Sequence, residues 1–519
     1  MRVLSSTSFP SRLACPATFF RARTISSFSK ARCFHQTRAN DKDLAIFKNS
    51  LQRTLDAHRS SNQASIIRRI PSQVDPKDTP EDATKSQDPL VVPPTAGITS
   101  RLSAARRGSK RKSRSSGKDV SPSQPTNLHR PVQWVPDPQR DRSEQCPWLN
   151  NLDPAHAFGD GLSQLDAEIC ALEKYVAPTL PEERQVHRIA ADMSQLLEGT
   201  VPHAPLIIGS WQTGFAMGHS SLDLLLPIPD AVRSIEIIRK PSATRPKALT
   251  LRRGLLRDVN DILQNCPLFT GRVDLSIERS RITAVEGRTG LQMHIYCGEG
   301  LPPILEYVRD YRAEYPSLRP LYMTVRLILE SQGLYGSRIS SIGSEPLLML
   351  VVAFLKMNHG RFRRSDGLGE SLLAFLRMYG TQVDLTTTGV SVDPPTLFNA
   401  ETLKLASRMY SPDNLPAHIR GQRSIMNLRR TAAIRGNVTT ATRLCLQDPT
   451  NYMDDLGRTC IQTRGLQSAL ASAYERLSTT LNNWEKDRPS EPVSSLLGIA
   501  LRANFDDFDD VRRQRTLGE

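Results

Sequence analysis

One carboxylate, Asp223, is set into an apolar run, Ser220-Ser221-Leu222-Asp223-Leu224-Leu225-Leu226, whose pattern predicts a β-strand. An acid in such a strand has two chemistries open to it. It can ligate a hard divalent cation, or it can be a half-buried group hydrogen-bonded to backbone. Upstream, APLIIG (204–209) predicts a second strand that ends at Gly209-Ser210, where a helical stretch begins. Backbone N–H groups at a turn of that kind can face a phosphate, although a Gly-Ser pair after a strand also serves simply as a turn. The third feature is a tract at 101–118 that carries Arg106, Arg107, Lys110, Arg111, Lys112 and Arg114 among eight basic residues and no acid. A flexible cationic tract binds phosphate backbones by releasing counterions, without reading sequence, and its bland alternative is a solvated spacer.

Two helices are predicted to position the strands. In LSQLDAEICALEKYV (162–176) the apolar residues recur at helical spacing, and Pro178 follows its end. PEERQVHRIAADMSQLLEG (181–199) opens on Pro and acids, aligns Val186, Ile189, Met193 and Leu197, and closes on Gly199.

The chain of 519 residues carries 68 Lys and Arg against 53 Asp and Glu, a formal charge of +15. Residues 1–132 hold 24 basic and 9 acidic side chains, so the whole surplus lies there and the remaining 387 residues are neutral. Residues 1–40 contain seven Arg and Lys, many serines and no acid, the pattern of a mitochondrial presequence, and they lack the continuous apolar core of a secretory signal. Arg32-Cys33-Phe34-His35-Gln36-Thr37 resembles a two-step processing site, which places a mature start near Lys42 and the protein in the mitochondrial matrix. Residues 42–145, rich in Ser, Pro, Gln and charge, bury too little apolar surface to offset ordering entropy and are predicted to be disordered. The longest apolar run, 346–355, is too short for a membrane span. Eight cysteines without a C-x-x-C pair exclude a disulfide scaffold and give no zinc signature.

A strand, a Gly-Ser turn, a helix and a strand with an embedded acid are similar to nucleotidyltransferases of the DNA polymerase β type. The resemblance is to the terminal RNA nucleotidyltransferases, poly(A) polymerases and terminal uridylyltransferases among them. It extends colinearly over roughly 160–480 through LQMHIYCG (291–298), RPLYMTVRLILESQGLYGSRISSIGSEPLLMLVVAFLK (319–356), LGESLLAFLRMYGTQVDLTTTGVSV (368–392) and LCLQDPTNYMDDLGRTCIQTRGLQSALASAYERL (444–477). It implies an α+β fold: a nucleotidyltransferase palm at 150–310, with a small mixed sheet and the two opening helices, then a mainly helical poly(A)-polymerase-associated lobe at 311–480. A tail follows at 481–519. If those opening helices pack on the second lobe, the body is one discontinuous unit.

The resemblance also implies three acids holding paired Mg²⁺ or Mn²⁺; the matching positions here are Ser221, Asp223 and His294, so one carboxylate of three remains, with Asp223 the metal ligand. Glu299 or Asp274 would restore the set if either lay beside Asp223. Gly209 and Ser210 match the phosphate turn. Arg326 and Glu330 match two triphosphate-gripping lysines, Ser344 precedes Glu345 where the family stacks the base on a tyrosine, and Asp454-Asp455 stands in the base-reading loop. The family's cationic cleft makes Arg361, Arg363, Arg364, Arg429, Arg430 and Arg435 further RNA contacts after the 101–118 tract. The expected function is thus a matrix RNA-associated protein of this family with lost or weak catalysis, in an RNA-processing or ribosome-associated complex. The alternative is an active, divergent mitochondrial poly(A) or oligo(U) polymerase using Mg²⁺. Trp134, Trp148, Trp211 and Trp484, dispersed in sequence, read as packing residues, while the tail FDDFDD (505–510) reads as a flexible counterweight or a partner hook.

Overall fold

A computed structural model describes residues 132–516, apart from 140–144, 153–157, 229–240, 270–272, 277–279, 299–300, 337–340, 361–366, 412–413 and 485–494. The presequence and the linker up to residue 131, with the whole 101–118 tract, lie outside the described residues. The predicted disorder does not hold at the end of the linker, where Trp134 and Gln145 are buried because Trp134 packs against Phe505 of the distant tail.

Helix α1 (Gly161–Val176) is capped by Asp160, whose carboxylate accepts the Ser163 amide, and it ends at Ala177, held extended ahead of Pro178. Helix α2 (Leu180–Leu196) starts from a capping box in which Glu182 reaches back to the Thr179 amide at 2.6 Å. The two helices part company. Leu165, Ile169, Leu172 and Val176 of α1 enter the core of the helical lobe, while Val186, Ile189 and Met193 of α2 pack under the palm sheet.

That sheet is built from β1 (Leu206–Ile208), β2 (Leu222–Pro227), β3 (Asp274–Ser276), β4 (Arg281–Val285) and β5 (Gln292–Gly298), in the order β1-β2-β5-β4-β3. β2 and β5 run parallel and the other pairs antiparallel. Between β1 and β2 lies the short helix α3 (Gly209–Thr213), and α4 (Pro241–Asn265) follows β2. Strand alternation sorts β2 into two faces. Leu222, Leu224 and Leu226 are fully buried with Leu256, Val259 and Leu263 of α4, which leaves Asp223 on the opposite face.

The second lobe runs from α5 (Ile304–Glu314) through α6 (Leu318–Glu330), α7 (Ser344–Met357) and α8 (Leu368–Arg377). A small sheet follows, β6 (Gly389–Val392) and β7 (Pro395–Phe398), then α9 (Ala400–Met409), α10 (Ala417–Ile434) and α11 (Val438–Ala441). β8 (Leu446–Gln447) completes that sheet beside β6, and α12 (Thr463–Trp484) packs back on the lobe. The apolar run 346–355 is the buried centre of α7, and among the described residues no helix is long and apolar enough to cross a membrane.

The acidic end of the tail is helical, not a flexible counterweight. After α13 (Leu496–Leu501), α14 (Asp506–Thr516) carries most of the FDDFDD segment, with Phe505 and Phe508 fully buried. Trp134 and Trp148, far apart in sequence from this tail, both stack edge-on against Phe505 at 5.1 Å. The tryptophans do pack, but these two share one aromatic cluster.

Candidate functional site

Gly209 takes a left-handed φ of +70° where β1 turns into α3, a conformation glycine enters without steric cost. A Cβ placed there would come within 2.6 Å of Asp223 Oδ2. Gly209→Ala is therefore expected to cost about 1–3 kcal/mol, from the left-handed backbone and the forced contact together. Thermal or urea unfolding checks it, and Asp223→Ala should recover the contact part only.

Sheet register places Ile208, Asp223, His294, Thr283 and Asp274 in one row across the five strands. Asp223 and His294 are neighbours, and Thr283 Oγ1 lies 3.4 Å from His294 Nδ1. Asp274 is three strands from Asp223, roughly 14 Å at ordinary strand spacing, and cannot share an ion with it. Glu299 lies outside the described residues. Ser221 lines the cleft, with its carbonyl accepting the Trp211 indole N–H at 3.0 Å. Burial pushes the Asp223 carboxyl up to about 7, against the pull of Arg281 on β4.

Two Mg²⁺ ions about 4 Å apart need several carboxylate oxygens between them. With Asp274 out of reach, the part of the row around Asp223 offers one carboxylate, one hydroxyl and one imidazole, with the Arg281 guanidinium nearby. Among the described residues no three His, Cys, Asp or Glu side chains gather as a metal cluster. The described donor set does not fit a paired-metal site.

Arg326 does reach the cleft, but its guanidinium is engaged on every side. Nε donates to Glu330 Oε2 at 3.1 Å and Nη1 to Ser220 Oγ at 3.3 Å, while Nη2 lies 3.3 Å from His219 Nε2. The Tyr335 ring stacks 4.6 Å from its centre. Glu330 in turn meets His219 Nε2 at 2.7 Å. Burial alone would raise the Glu330 carboxyl; His219 and Arg326 outweigh it and hold it at about 2. Placed one helical turn apart, these two residues neutralise each other and present no pair of cations to a phosphate.

Ser344 opens α7 at the cleft edge. Glu345 beside it is exposed, with Asp448, Asp454 and Arg458 as its charged neighbours. Asp455 has a structural task. Its Oδ1 accepts the Leu446 and Gly457 amides, each at 2.9 Å, and Oδ2 pairs with Arg443 at 3.2 Å, which fastens the loop 448–455 to β8.

The cleft between the lobes encloses 1120 Å³, and Ser210, Ser221, Asp223, His294, Arg326 and Ser344 all line it. It is not cationic. Four carboxylates on its wall, Asp223, Glu330, Asp507 and Asp510, face three guanidiniums, Arg281, Arg326 and Arg515. Of the further arginines, 361, 363 and 364 lie outside the described residues, Arg429 is buried on the Ala441 carbonyl at 2.9 Å, and Arg430 and Arg435 are exposed.

No family model matches the chain. The poly(A) RNA polymerase cid14 of Schizosaccharomyces pombe is 25% identical over 266 residues, 48% of this chain and 35% of that protein. A Drosophila melanogaster protein named as an inactive poly(A) RNA polymerase protein, Trf4-2, is 22% identical over 184 residues, 34% of this chain and 38% of its own. The polymerase core of TRAMP, an RNA surveillance complex, shares the fold, with a TM-score of 0.51 at 19% identity over 69% of this chain and 99% of that one. In sequence the chain is similar to poly(A) RNA polymerases, and it shares the fold of the TRAMP polymerase core. It spans little more than a third of the length of these two curated relatives. Set against the family pattern, sequence reasoning missed His219, Arg281 and the contribution of α14 to a terminal-nucleotidyltransferase cleft. His219 stands two residues before Ser221 and could have been noticed as a buried partner for Glu330; nothing in the spacing of Arg281 or α14 signals the cleft.

Proposed function

We propose that this chain is a mitochondrial RNA-associated protein that keeps the terminal nucleotidyltransferase scaffold with lost or severely reduced catalysis. The observation that carries the proposal is that, among the described residues, Asp223 is the lone carboxylate at the metal position: it stands in register with an imidazole, and Asp274 is three strands away. Without a second and third anion, neither the attacking 3′-hydroxyl nor the departing pyrophosphate has an ion to steady it, and each misplaced ion costs many decades of rate at about 1.4 kcal/mol per decade. The buried Arg326–Glu330 pair supports the same reading, because the triphosphate loses its grip. A relative whose name calls it inactive fits the proposal. RNA is held by the 101–118 tract rather than by the neutral cleft, the presequence-like start directs the protein to the matrix, and the setting is an RNA-processing or ribosome-linked complex. The test is to incubate the purified protein with labelled oligo-RNA, Mg²⁺ or Mn²⁺ and each NTP. The expected result is an unextended 3′ end. Tail growth that disappears in Asp223→Ala would overturn the proposal.

A further inference from the structure

We infer that helix α14 is an internal latch, which fixes the loop 217–220 that immobilises Arg326 and walls the cleft against polyanions. One end of α14 is anchored in the helical lobe. Phe508 stacks on Trp134 at 5.9 Å, and Asp509 accepts the Tyr175 hydroxyl at 2.6 Å. The other end is anchored on the palm. Arg515, 5% exposed, donates to the carbonyls of Gly218 and Ser220, the latter at 3.0 Å. Between them Arg512 donates to the Tyr175 carbonyl at the end of α1 (2.6 Å) and to Glu182 of α2 (2.8 and 3.1 Å), so one side chain ties the two lobes.

The clamped loop is the one that holds Arg326. Ser220 Oγ accepts from Arg326, and His219 bonds Glu330. The His219 ring is itself packed between Trp134 and Phe508, at 5.5 and 5.4 Å. A guanidinium buried on two main-chain carbonyls is costly to desolvate and is retained only where the geometry is fixed, which is what a latch needs. On its open side α14 turns Asp507, which accepts the Gln133 amide at 3.0 Å, and Asp510, which pairs with Arg513, into the cleft, two carboxylates that a phosphate chain would have to pass.

The inference does not depend on whether catalysis survives, and its first test needs no RNA. Hydrogen exchange of the full chain is compared with that of Arg512→Ala/Arg515→Ala, which keeps Phe505 and Phe508 in place. Amides of 217–222 and of the turn around Gly290, which Gln514 covers, are expected to exchange about tenfold faster or more, with α7 and α13 unchanged. An unchanged loop, or an equal rise everywhere, would sink the latch. The second arm is Asp507→Asn/Asp510→Asn, photocrosslinked to a 4-thiouridine oligouridine and mapped by mass spectrometry. Crosslinks to 289–296 are expected to rise about threefold or more; an unchanged yield there would overturn the polyanion wall while leaving the loop result standing.

Discussion

Glu330→Gln is expected to destabilise the protein by about 3–5 kcal/mol, since it leaves Arg326 buried without its counter-ion. The Arg326 side chain is 6% exposed and that of Glu330 17%, so solvent screens little of the interaction. Arg326→Met/Glu330→Gln, which removes the stranded charge as well, should recover most of the loss. Urea unfolding of the wild type and the two variants decides it, and a single-variant cost below about 1 kcal/mol would show the network to be dispensable. The pH dependence follows from the direction of the shift. Because the folded carboxyl is held at about 2, below its ordinary 4.5, the network stabilises fully above pH 4.5 and its contribution is lost as pH falls toward 2. Acid unfolding of Glu330→Gln should therefore show a flatter profile in that window.

Asp223→Asn is expected to do the reverse, stabilising the protein at pH 8 relative to pH 4 by about 2–4 kcal/mol. Burial raises the folded carboxyl from 3.8 to about 7, so the unfolded chain ionises first and stability drains as pH climbs between those values. An asparagine carries no such penalty. The difference in unfolding free energy between variant and wild type, measured at the two pH values, should grow with pH. A difference that stays flat would mean that Asp223 ionises freely in the folded protein and is a ready anionic ligand after all.

Much of the frame is legible in the sequence because it rests on local rules. The acid alternating with leucines in β2 fixes which side of the strand meets α4, and the Thr179–Glu182 box fixes where α2 begins. The site is less legible because its decisive contacts join distant parts of the chain. Asp455 reads as a base contact beside Asp454, yet amides at 446 and 457 claim its carboxylate. Trp134 and Trp148 read as scattered until Phe505 gathers them. The tail reads as charge alone, since Phe505, Phe508 and the buried Arg515 too rarely recur to form an apolar stripe, and tertiary packing supplies what periodicity lacks. His219 and Arg281 matter only through partners on other elements.

Val132, Gln133, Trp134 and Val135 line the mouth of the cleft. The fourteen residue-to-residue steps from Lys118 to Val132 can span roughly 50 Å at most. On the proposed role of the 101–118 tract, a nucleic acid held there would stay within that distance of the cleft wall whatever path the intervening chain takes, at an effective concentration near the millimolar range.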